Sequence, residues 1–165
     1  MKTFKSQIAA LALALGSTLT VGSSYAADTN PSVVIVHGAF ADGSDWAKVV
    51  PLLQAEGVAV TVVQNPLTSL ADDVAATQRA LNNQDGKVVL VGHSWGGTVI
   101  TEAGNDNKVS ALVYVAAFAP NAGQTSGEQG KGAPTPPGIS QLKTDSNGFI
   151  LSLIHISEPT RLLSI

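Results

Sequence analysis

The pentapeptide Gly92-His93-Ser94-Trp95-Gly96 is the part of this chain whose residue types and spacing best suit chemistry. The pattern G-x-S-x-G is typical of a serine hydroxyl that acts as a nucleophile at a sharp turn between a strand and a helix. The apolar run Lys87–Val91 precedes it and predicts a strand, and the residues from Trp95 to about Gly104 predict a helix. Side chains beside so tight a turn would clash, which accounts for glycine at both flanking positions. The pattern and its setting therefore predict that Ser94 is a catalytic nucleophile.

A second glycine-containing loop, His37-Gly38-Ala39-Phe40, follows the first predicted strand. Parallel sheets bind ligands at the carboxyl ends of their strands, so we expect this loop and Ser94 at the same edge. There the loop can direct a backbone N–H toward the reacting atom, and the helix after Ser94 favours a developing negative charge at its N-terminus. Phe40 and Trp95 are candidates for lining a substrate pocket. Taken alone, the loop is equally well interpreted as an ordinary strand-to-helix connection.

Alternating strands and helices must position these two loops. The predicted strands cover Ser32–His37, Val58–Val63, Lys87–Val91 and Val109–Val115, and the predicted helices cover Trp46 to Gly57, Ser69 to about Asn82 and Trp95 to about Gly104. Pro51 is expected to kink the first helix, and Ser69 with Asp72 resembles a capping box that begins the second. Asp72 and Asp73 are expected to complement the dipole of that helix. Near-continuous apolar strands that alternate with helices predict an α/β fold, a parallel sheet with helices on both faces.

The character of the chain changes after the fourth predicted strand. The stretch from Pro120 to Gly148 is rich in Gly, Pro, Ser and Gln and shows little periodicity. Such a stretch is typical of a loop or of a segment that covers a site. We therefore divide the chain into the first part of a folded domain at 27–118 and a loop or the start of a lid at 119–150.

At these residues the sequence resembles the alpha/beta-hydrolase superfamily, and most of all its small branch of esterases and hydroxynitrile lyases. The resemblance rests on His37-Gly38-Ala39 near the start and on Gly92-His93-Ser94-Trp95-Gly96-Gly97, and it extends over about Ser32 to Pro120. It implies that Ser94 is the nucleophile, that the backbone N–H groups of Ala39 and Trp95 form an oxyanion hole, and that the substrate is a small ester. It also implies a partial fold, truncated after the fourth predicted strand, which leaves Val109–Val115 as an exposed apolar edge.

Hydrolases of this superfamily place an acid and a histidine after the serine in the chain. His93 adjoins Ser94 on the turn and should point away from it, and His37 is expected to fix the conformation of its loop through hydrogen bonds. His155 lies in residues 151–165, which are predicted not to be protein-coding sequence. Asp145 lies in a polar turn, where we expect a solvated side chain on the surface. No residue of this chain is therefore identified as the catalytic acid or the catalytic histidine.

We accordingly expect a serine-dependent alpha/beta hydrolase, most simply an exported carboxylic ester hydrolase that acts through an acyl-serine intermediate, with this fragment itself inactive. A ligand-binding protein that uses the same pocket without turnover, and a cyanohydrin lyase, are the alternatives.

Composition excludes several other classes of protein. The chain has no Cys, which excludes disulfides, thiolate metal sites and a cysteine nucleophile. Residues 27–150 hold six Lys and Arg against eleven Asp and Glu and contain no basic run, so neither nucleic acid nor an anionic membrane is an expected partner. No apolar run reaches the roughly 18 residues of a membrane span. No cofactor is expected, because there is neither a dinucleotide-binding loop nor a cluster with metal-ligand spacing.

The two ends of the chain are expected to lie outside the folded domain. Residues 1–26 have a basic start, an apolar run from Ile8 to Leu15 and small residues before Ala26, which predicts a signal peptide for export to a periplasm or the medium. Residues 151–165 can be back-translated, in frame to the last residue, into a string that resembles a transposase-based sequencing adapter. They are therefore predicted to be read-through of an adapter, with the natural protein continuing past Ile150.

Overall fold

A computed structural model describes residues 32–152, and its main sheet contains four parallel strands. The strands of this sheet are β1 (Ser32–Val36), β2 (Val60–Val63), β3 (Val88–His93) and β4 (Val109–Val115), and the helices between them are α1 (Val50–Ala55), α2 (Leu70–Asn82) and α3 (Trp95–Ala103). The predicted α/β alternation is confirmed, and the fourth strand has the predicted bounds. The predicted signal peptide and all but two residues of the predicted adapter segment lie outside the described residues.

The order of the strands, β2-β1-β3-β4, brings three loops together at one edge of the sheet. Val36, the last residue of β1, pairs with Val63 on one side and with Gly92 on the other. The residues that follow β1, β2 and β3 therefore leave the sheet at nearly the same level. β1 is buried from Val34 onward because strands flank it on both sides, while α2 and α3 pack on each other and on the sheet.

Both ends of α2 are held by side chains. The hydroxyl of Ser69 accepts a hydrogen bond from the N–H of Asp72 at 3.1 Å, which satisfies one of the free N–H groups of the first turn. At the other end the ammonium group of Lys108 donates to the carbonyl oxygens of Leu81, Asn82 and Gln84. The predicted beginning of α2 at Ser69 is confirmed, and its end at Asn82 is fixed by a cation beside the negative end of the helix.

The first predicted helix is wrong in its first half. A short 3-10 helix, Gly43–Trp46, occupies the start of the region, and α1 begins only at Val50. Pro51 therefore lies in the first turn of α1, where a missing N–H leaves no helical hydrogen bond unmade, and it begins the helix rather than kinking it. Gly57 follows the helix with a φ of 77°, a conformation that glycine adopts without strain.

The part of the chain from β4 onward is more exposed than the part before it. Every residue of β4 after Val109 is exposed, whereas β3 alternates between buried and half-buried positions. The stretch predicted as a loop holds two short 3-10 helices, Ser126–Glu128 and Pro137–Gln141, and a hairpin of β5 (Leu142–Thr144) and β6 (Ile150–Ser152). Between residues 32 and 152 no helix is long and apolar enough to cross a bilayer.

Candidate active site

Ser94 lies between β3 and α3, in a backbone conformation that residues other than glycine rarely adopt. Its φ is 53° and its ψ is −120°. The turn is held from both sides, because the carbonyl oxygen of Ser94 accepts hydrogen bonds from the N–H of Gly97 at 3.0 Å and from that of Phe118 at 3.1 Å. Strained backbone of this kind persists only where the surrounding structure imposes it. The predicted sharp turn is therefore present, and the chain that follows β4 helps to hold it.

The glycines on either side of Ser94 are explained by contacts between backbones. A Cβ at Gly92 would lie 2.5 Å from the carbonyl oxygen of Gly96. A Cβ at Gly96 would collide with the carbonyl oxygen of Val36 at the end of β1. The two glycines thus permit the turn to close on itself and to pack against the neighbouring strand.

Ala39 and Trp95 lie on the same side of the molecule as Ser94. All three border one cavity, and a Cβ at Gly38 would lie only 3.0 Å from the Cβ of Ser94, so the loop after β1 passes directly beside the serine. Among the described residues, neither the N–H of Ala39 nor that of Trp95 donates a hydrogen bond within the protein. Two N–H groups near the serine are therefore free to bind an oxygen atom of a ligand.

His37 is held by two hydrogen bonds that leave it no role as a base. Its Nε2 accepts from the N–H of Asn65 at 3.0 Å, which requires that Nδ1 carries the proton, and Nδ1 lies 2.8 Å from the carbonyl oxygen of Gly38. The side-chain amide of Asn65 donates in turn to the carbonyl oxygen of His37 at 3.1 Å. His37 fixes its loop through hydrogen bonds, as expected. Asn65 was missed, because nothing local marks the end of β2 as a partner for β1.

The ring of His93 packs against Trp46. Its ring meets the indole of Trp46 edge to face, with ring centroids 6.4 Å apart and an angle of 76° between the planes. In the part of the chain that is described, no hydrogen bond joins the side chains of His93 and Ser94.

Asp73 lies in the first turn of α2, as expected, but its carboxylate is buried in the protein. The side chain is 1% exposed, and its two oxygens accept hydrogen bonds from the N–H of Leu67 at 2.8 Å and from the indole N–H of Trp95 at 2.7 Å. A signal for this burial was present in the sequence. Asp73 precedes Thr77 and Leu81 at intervals of four residues, and all three face the core. Asp72 points the other way and bonds the hydroxyls of Thr68 and Ser69.

The cavity beside Ser94 has a volume of about 730 Å³. Apolar and aromatic side chains predominate in its lining, among them Phe40, Leu67, Trp95, Phe118 and Phe149. Phe40 and Trp95 therefore border the cavity as predicted, whereas Leu67 and Phe118 come from chain segments that carry no local signal of a site. A lining of this kind suits a small apolar ligand with one or two polar atoms.

Asp145 borders the cavity, yet its carboxylate is used by its own turn. One of its oxygens accepts hydrogen bonds from the N–H groups of Asn147 and Phe149, both at 2.9 Å. These bonds close the turn between β5 and β6, as expected of an Asp in a Ser/Asn/Gly sequence. Over residues 32–152 no group of three or more acidic or histidine side chains is suited to hold a metal ion.

Comparison with known proteins identifies the family. The sequence model of the alpha/beta hydrolase family matches residues 33–160, which is most of the chain. This chain belongs to the alpha/beta hydrolase family. The resemblance seen at the glycine-flanked serine and at the loop after β1 is thereby confirmed, together with the parallel sheet that carries them.

The chain is also similar to proteins with more specific names. Salicylic acid-binding protein 2 of Nicotiana tabacum is 35% identical over 103 residues, which cover 53% of this chain and 40% of the relative. Methylesterase 2 of Arabidopsis thaliana is 35% identical over 104 residues, with the same two coverages. A pyrethroid hydrolase from Sphingobium faniae JZ-2 shares the fold with a TM-score of 0.61 at 22% identity, over 75% of this chain and 56% of that protein. The chain thus spans about 40% of the length of the curated relatives it matches.

Proposed function

We propose that this alpha/beta hydrolase chain forms the nucleophile-bearing part of an exported serine hydrolase that cleaves small carboxylic esters. One observation carries the proposal. Ser94 occupies a strained turn at the N-terminus of α3 and shares a cavity with two N–H groups, those of Ala39 and Trp95, that have no acceptor in the described protein. Such an arrangement presents a hydroxyl to the carbon, and a pair of donors to the oxygen, of the same bound carbonyl group.

The reaction follows from this geometry. Ser94 Oγ attacks the ester carbonyl carbon, and the electron pair of the carbonyl bond moves to its oxygen, where the N–H groups of Ala39 and Trp95 stabilise the negative charge. The proton of Ser94 passes to a base, which returns it to the alcohol as the C–O bond of the ester breaks. Water then attacks the carbonyl carbon of the acyl-serine in the same way. This step releases the carboxylic acid product and regenerates the free hydroxyl of Ser94.

The base and the acid that orients it are the parts that residues 32–152 do not supply. Both ring nitrogens of His37 are occupied, His93 faces Trp46, and Asp145 closes its own turn. We propose that the natural protein continues past Ile150 and that the histidine and the acid lie in that continuation. The family match extends to residue 160 and so overlaps the segment predicted to be adapter sequence, and the reading of the gene decides between the two.

The cavity indicates the class of ester. Aromatic and aliphatic side chains predominate in its lining, which favours an apolar or aromatic group on one side of the ester bond. The names of the methylesterase of Arabidopsis thaliana and the salicylic acid-binding protein of tobacco agree with a small aromatic carboxylic ester. We therefore propose short-chain esters of apolar or aromatic acids as substrates.

A fluorophosphonate probe tests the proposal directly. The locus is first resequenced from genomic DNA, and its full-length product is expressed with its own N-terminus and labelled in the medium, the periplasmic fraction and the cytoplasm. We expect labelling of an exported product, loss of labelling in Ser94→Ala, and unchanged labelling in the control Ser44→Ala, which alters an exposed serine on the 3-10 helix. The 165-residue chain alone should not be labelled, because residues 32–152 supply no base for Ser94.

Two results would contradict this proposal. Labelling that persists in Ser94→Ala would show that another residue is the nucleophile. A folded full-length protein that is not labelled would favour the second candidate, a ligand-binding protein that uses the same cavity without turnover, a function consistent with the name of the tobacco relative.

A further inference from the structure

The buried carboxylate of Asp73 is the strongest feature of the molecule that the proposed reaction does not use. It is 1% exposed, and the one ion pair found between residues 32 and 152, Lys131 with Glu128, is far from it in the chain. A buried carboxylate without a cation is costly unless hydrogen bonds and dipoles compensate for the lost water. Here the compensation comes from two N–H donors and from the positive end of the 13-residue helix α2.

The two donors that bond Asp73 belong to different walls of the cavity. The indole N–H of Trp95 donates to Oδ2 at 2.7 Å, and Trp95 directly follows Ser94. The backbone N–H of Leu67 donates to Oδ1 at 2.8 Å, and Leu67 has a φ of 58° in the loop after β2. Leu67, Trp95 and Ser94 all border the cavity. One carboxylate therefore joins the loop after β2 to the residue beside the nucleophile.

A role limited to capping α2 does not account for this arrangement. Asp72, its neighbour, occupies the first turn of the same helix, is exposed, and bonds the hydroxyls of Ser69 and Thr68. Asp72 therefore performs the helix-terminal role at a solvated position. The carboxylate of Asp73 instead accepts both of its hydrogen bonds from residues that line the cavity.

The hydrogen bond also determines what Trp95 offers to a ligand. Because Asp73 accepts the indole N–H, this group is not available to bind a polar atom of a substrate. The ring then contributes only apolar surface to the cavity, at an angle that the short charge-assisted hydrogen bond fixes. In the same way, Leu67 is held in a left-handed conformation that a non-glycine residue adopts at a cost.

We propose that Asp73 is a positioning residue for ester binding, which holds the Trp95 indole and the Leu67 backbone as two walls of the substrate cavity. The proposal rests on the proposed esterase function, because only a substrate in this cavity would depend on the position of these walls. Asp73 also borders the cavity, but both of its carboxylate oxygens are bonded by N–H groups of Leu67 and Trp95, so it acts through these two residues.

The first test follows the indole by spectroscopy and needs no activity. The chain contains two tryptophans, so in a Trp46→Phe background Trp95 alone gives the tryptophan signal in near-UV circular dichroism. We expect Asp73→Asn to weaken that signal strongly, while Asp72→Asn leaves it unchanged and far-UV spectra show that both variants are folded. A Trp95 signal that is the same in Asp73→Asn as in the parent would overturn the proposal.

The second test uses ester hydrolysis by the full-length protein with p-nitrophenyl esters of acetic and benzoic acid. For Asp73→Asn we expect KM for the aromatic ester to rise about tenfold with kcat changed far less, the pattern of lost binding that is common to ground state and transition state. Asp72→Asn should behave as the parent. Trp95→Phe, which lacks the indole N–H but keeps an aromatic ring, should raise KM similarly, and the double variant should be no worse than Asp73→Asn alone.

The two failures are distinguishable. If the parent neither hydrolyses esters nor reacts with the fluorophosphonate probe, the esterase proposal fails. A changed Trp95 signal in Asp73→Asn would still show that Asp73 holds the indole in place. If the parent hydrolyses esters but KM is unchanged in both Asp73→Asn and Trp95→Phe, Asp73 has no part in binding them. If the Asp73→Asn variant does not fold, Trp95→Phe carries the test alone, and an unchanged KM in it contradicts the proposal.

Discussion

β3 and β4 are adjacent, parallel and similarly apolar, yet their environments differ sharply. Leu90 of β3 pairs in register with Leu112 of β4, but Leu90 is 0% exposed whereas Leu112 is 36% exposed. β3 lies between β1 and β4 and is covered by α3, while β4 pairs with β3 alone among the described strands. Burial is thus decided by neighbours rather than by the residues of the strand.

The same contrast extends to the regions around the two strands. In the region from β1 to α3, hydrogen bonds join polar groups that are distant in the sequence, as between His37 and Asn65 and between Asp73 and Trp95. From β4 onward, most hydrogen bonds join residues near one another in sequence, as in the turn closed by Asp145. The part of the chain that carries Ser94 is therefore held together by hydrogen bonds between residues that are distant in the sequence.

The largest expected effect comes from truncating the paired leucines. In the 165-residue chain Leu90→Ala should lower the free energy of unfolding by about 3 kcal/mol, because it opens a cavity in the core. Leu112→Ala should cost about 1 kcal/mol or less, since its side chain already contacts solvent. Urea unfolding followed by circular dichroism measures both. Equal costs would mean that another segment or a second copy covers β4 in solution.

A smaller effect is expected from the two helix caps, one in each region. Ser69→Ala should lower the free energy of unfolding by about 1 kcal/mol, because it removes the cap of α2. Thr125→Ala should change it by less than about 0.5 kcal/mol, since the capping box it forms with Glu128 serves an exposed 3-10 helix of three residues. The comparison fails if the Thr125 variant loses as much stability as the Ser69 variant.

The Ser69 cap should also be visible in the pH dependence of stability. Hydrogen bonds from the hydroxyls of Ser69 and Thr68 hold the pKa of Asp72 below its ordinary value of 3.8. The stabilisation from this lowered pKa is complete above the ordinary value and is lost as the pH falls through the lower pKa of the folded state. In the Ser69→Ala variant, the free energy of unfolding should therefore fall less steeply as the pH is lowered below the ordinary pKa of Asp72.

The smallest effect on stability is expected for a charge on the exposed strand. Val113→Lys should change the free energy of unfolding by no more than about 0.5 kcal/mol, because the side chain is 42% exposed. The same variant should reduce self-association, since charged side chains block pairing along a free edge. Light scattering of the 165-residue chain measures this effect. Val91→Lys, at the paired and half-buried position on β3, is the control and should lower the free energy of unfolding by more than Val113→Lys does. Undiminished association of the Val113 variant would show that β4 is not the surface that associates.

Much of the fold and part of the candidate site follow from local patterns. The apolar runs of the four strands, the cap at Ser69 and the glycines around Ser94 each express a rule that operates over a few residues, and the structure has all of them. The kink at Pro51 was wrong because the sequence pattern did not show where the helix begins. Asn65 was missed because its partner lies 28 residues away, across the sheet.

By itself, the sequence determined the alternation of strands and helices and the sharp turn at Ser94, because steric and capping rules act between near neighbours in the chain. The hydrolase family was indicated by the resemblance of the motifs at that turn and at the loop after β1, and the family match shows it. Only the tertiary structure decided that Asp73 is buried against Trp95 and that His37 is held by Asn65, whereas the exposure of β4 was expected from the sequence. These contacts form between segments that are distant in the sequence. The burial of a side chain and its hydrogen-bond partners therefore depend on the fold, and the residue types alone do not determine them.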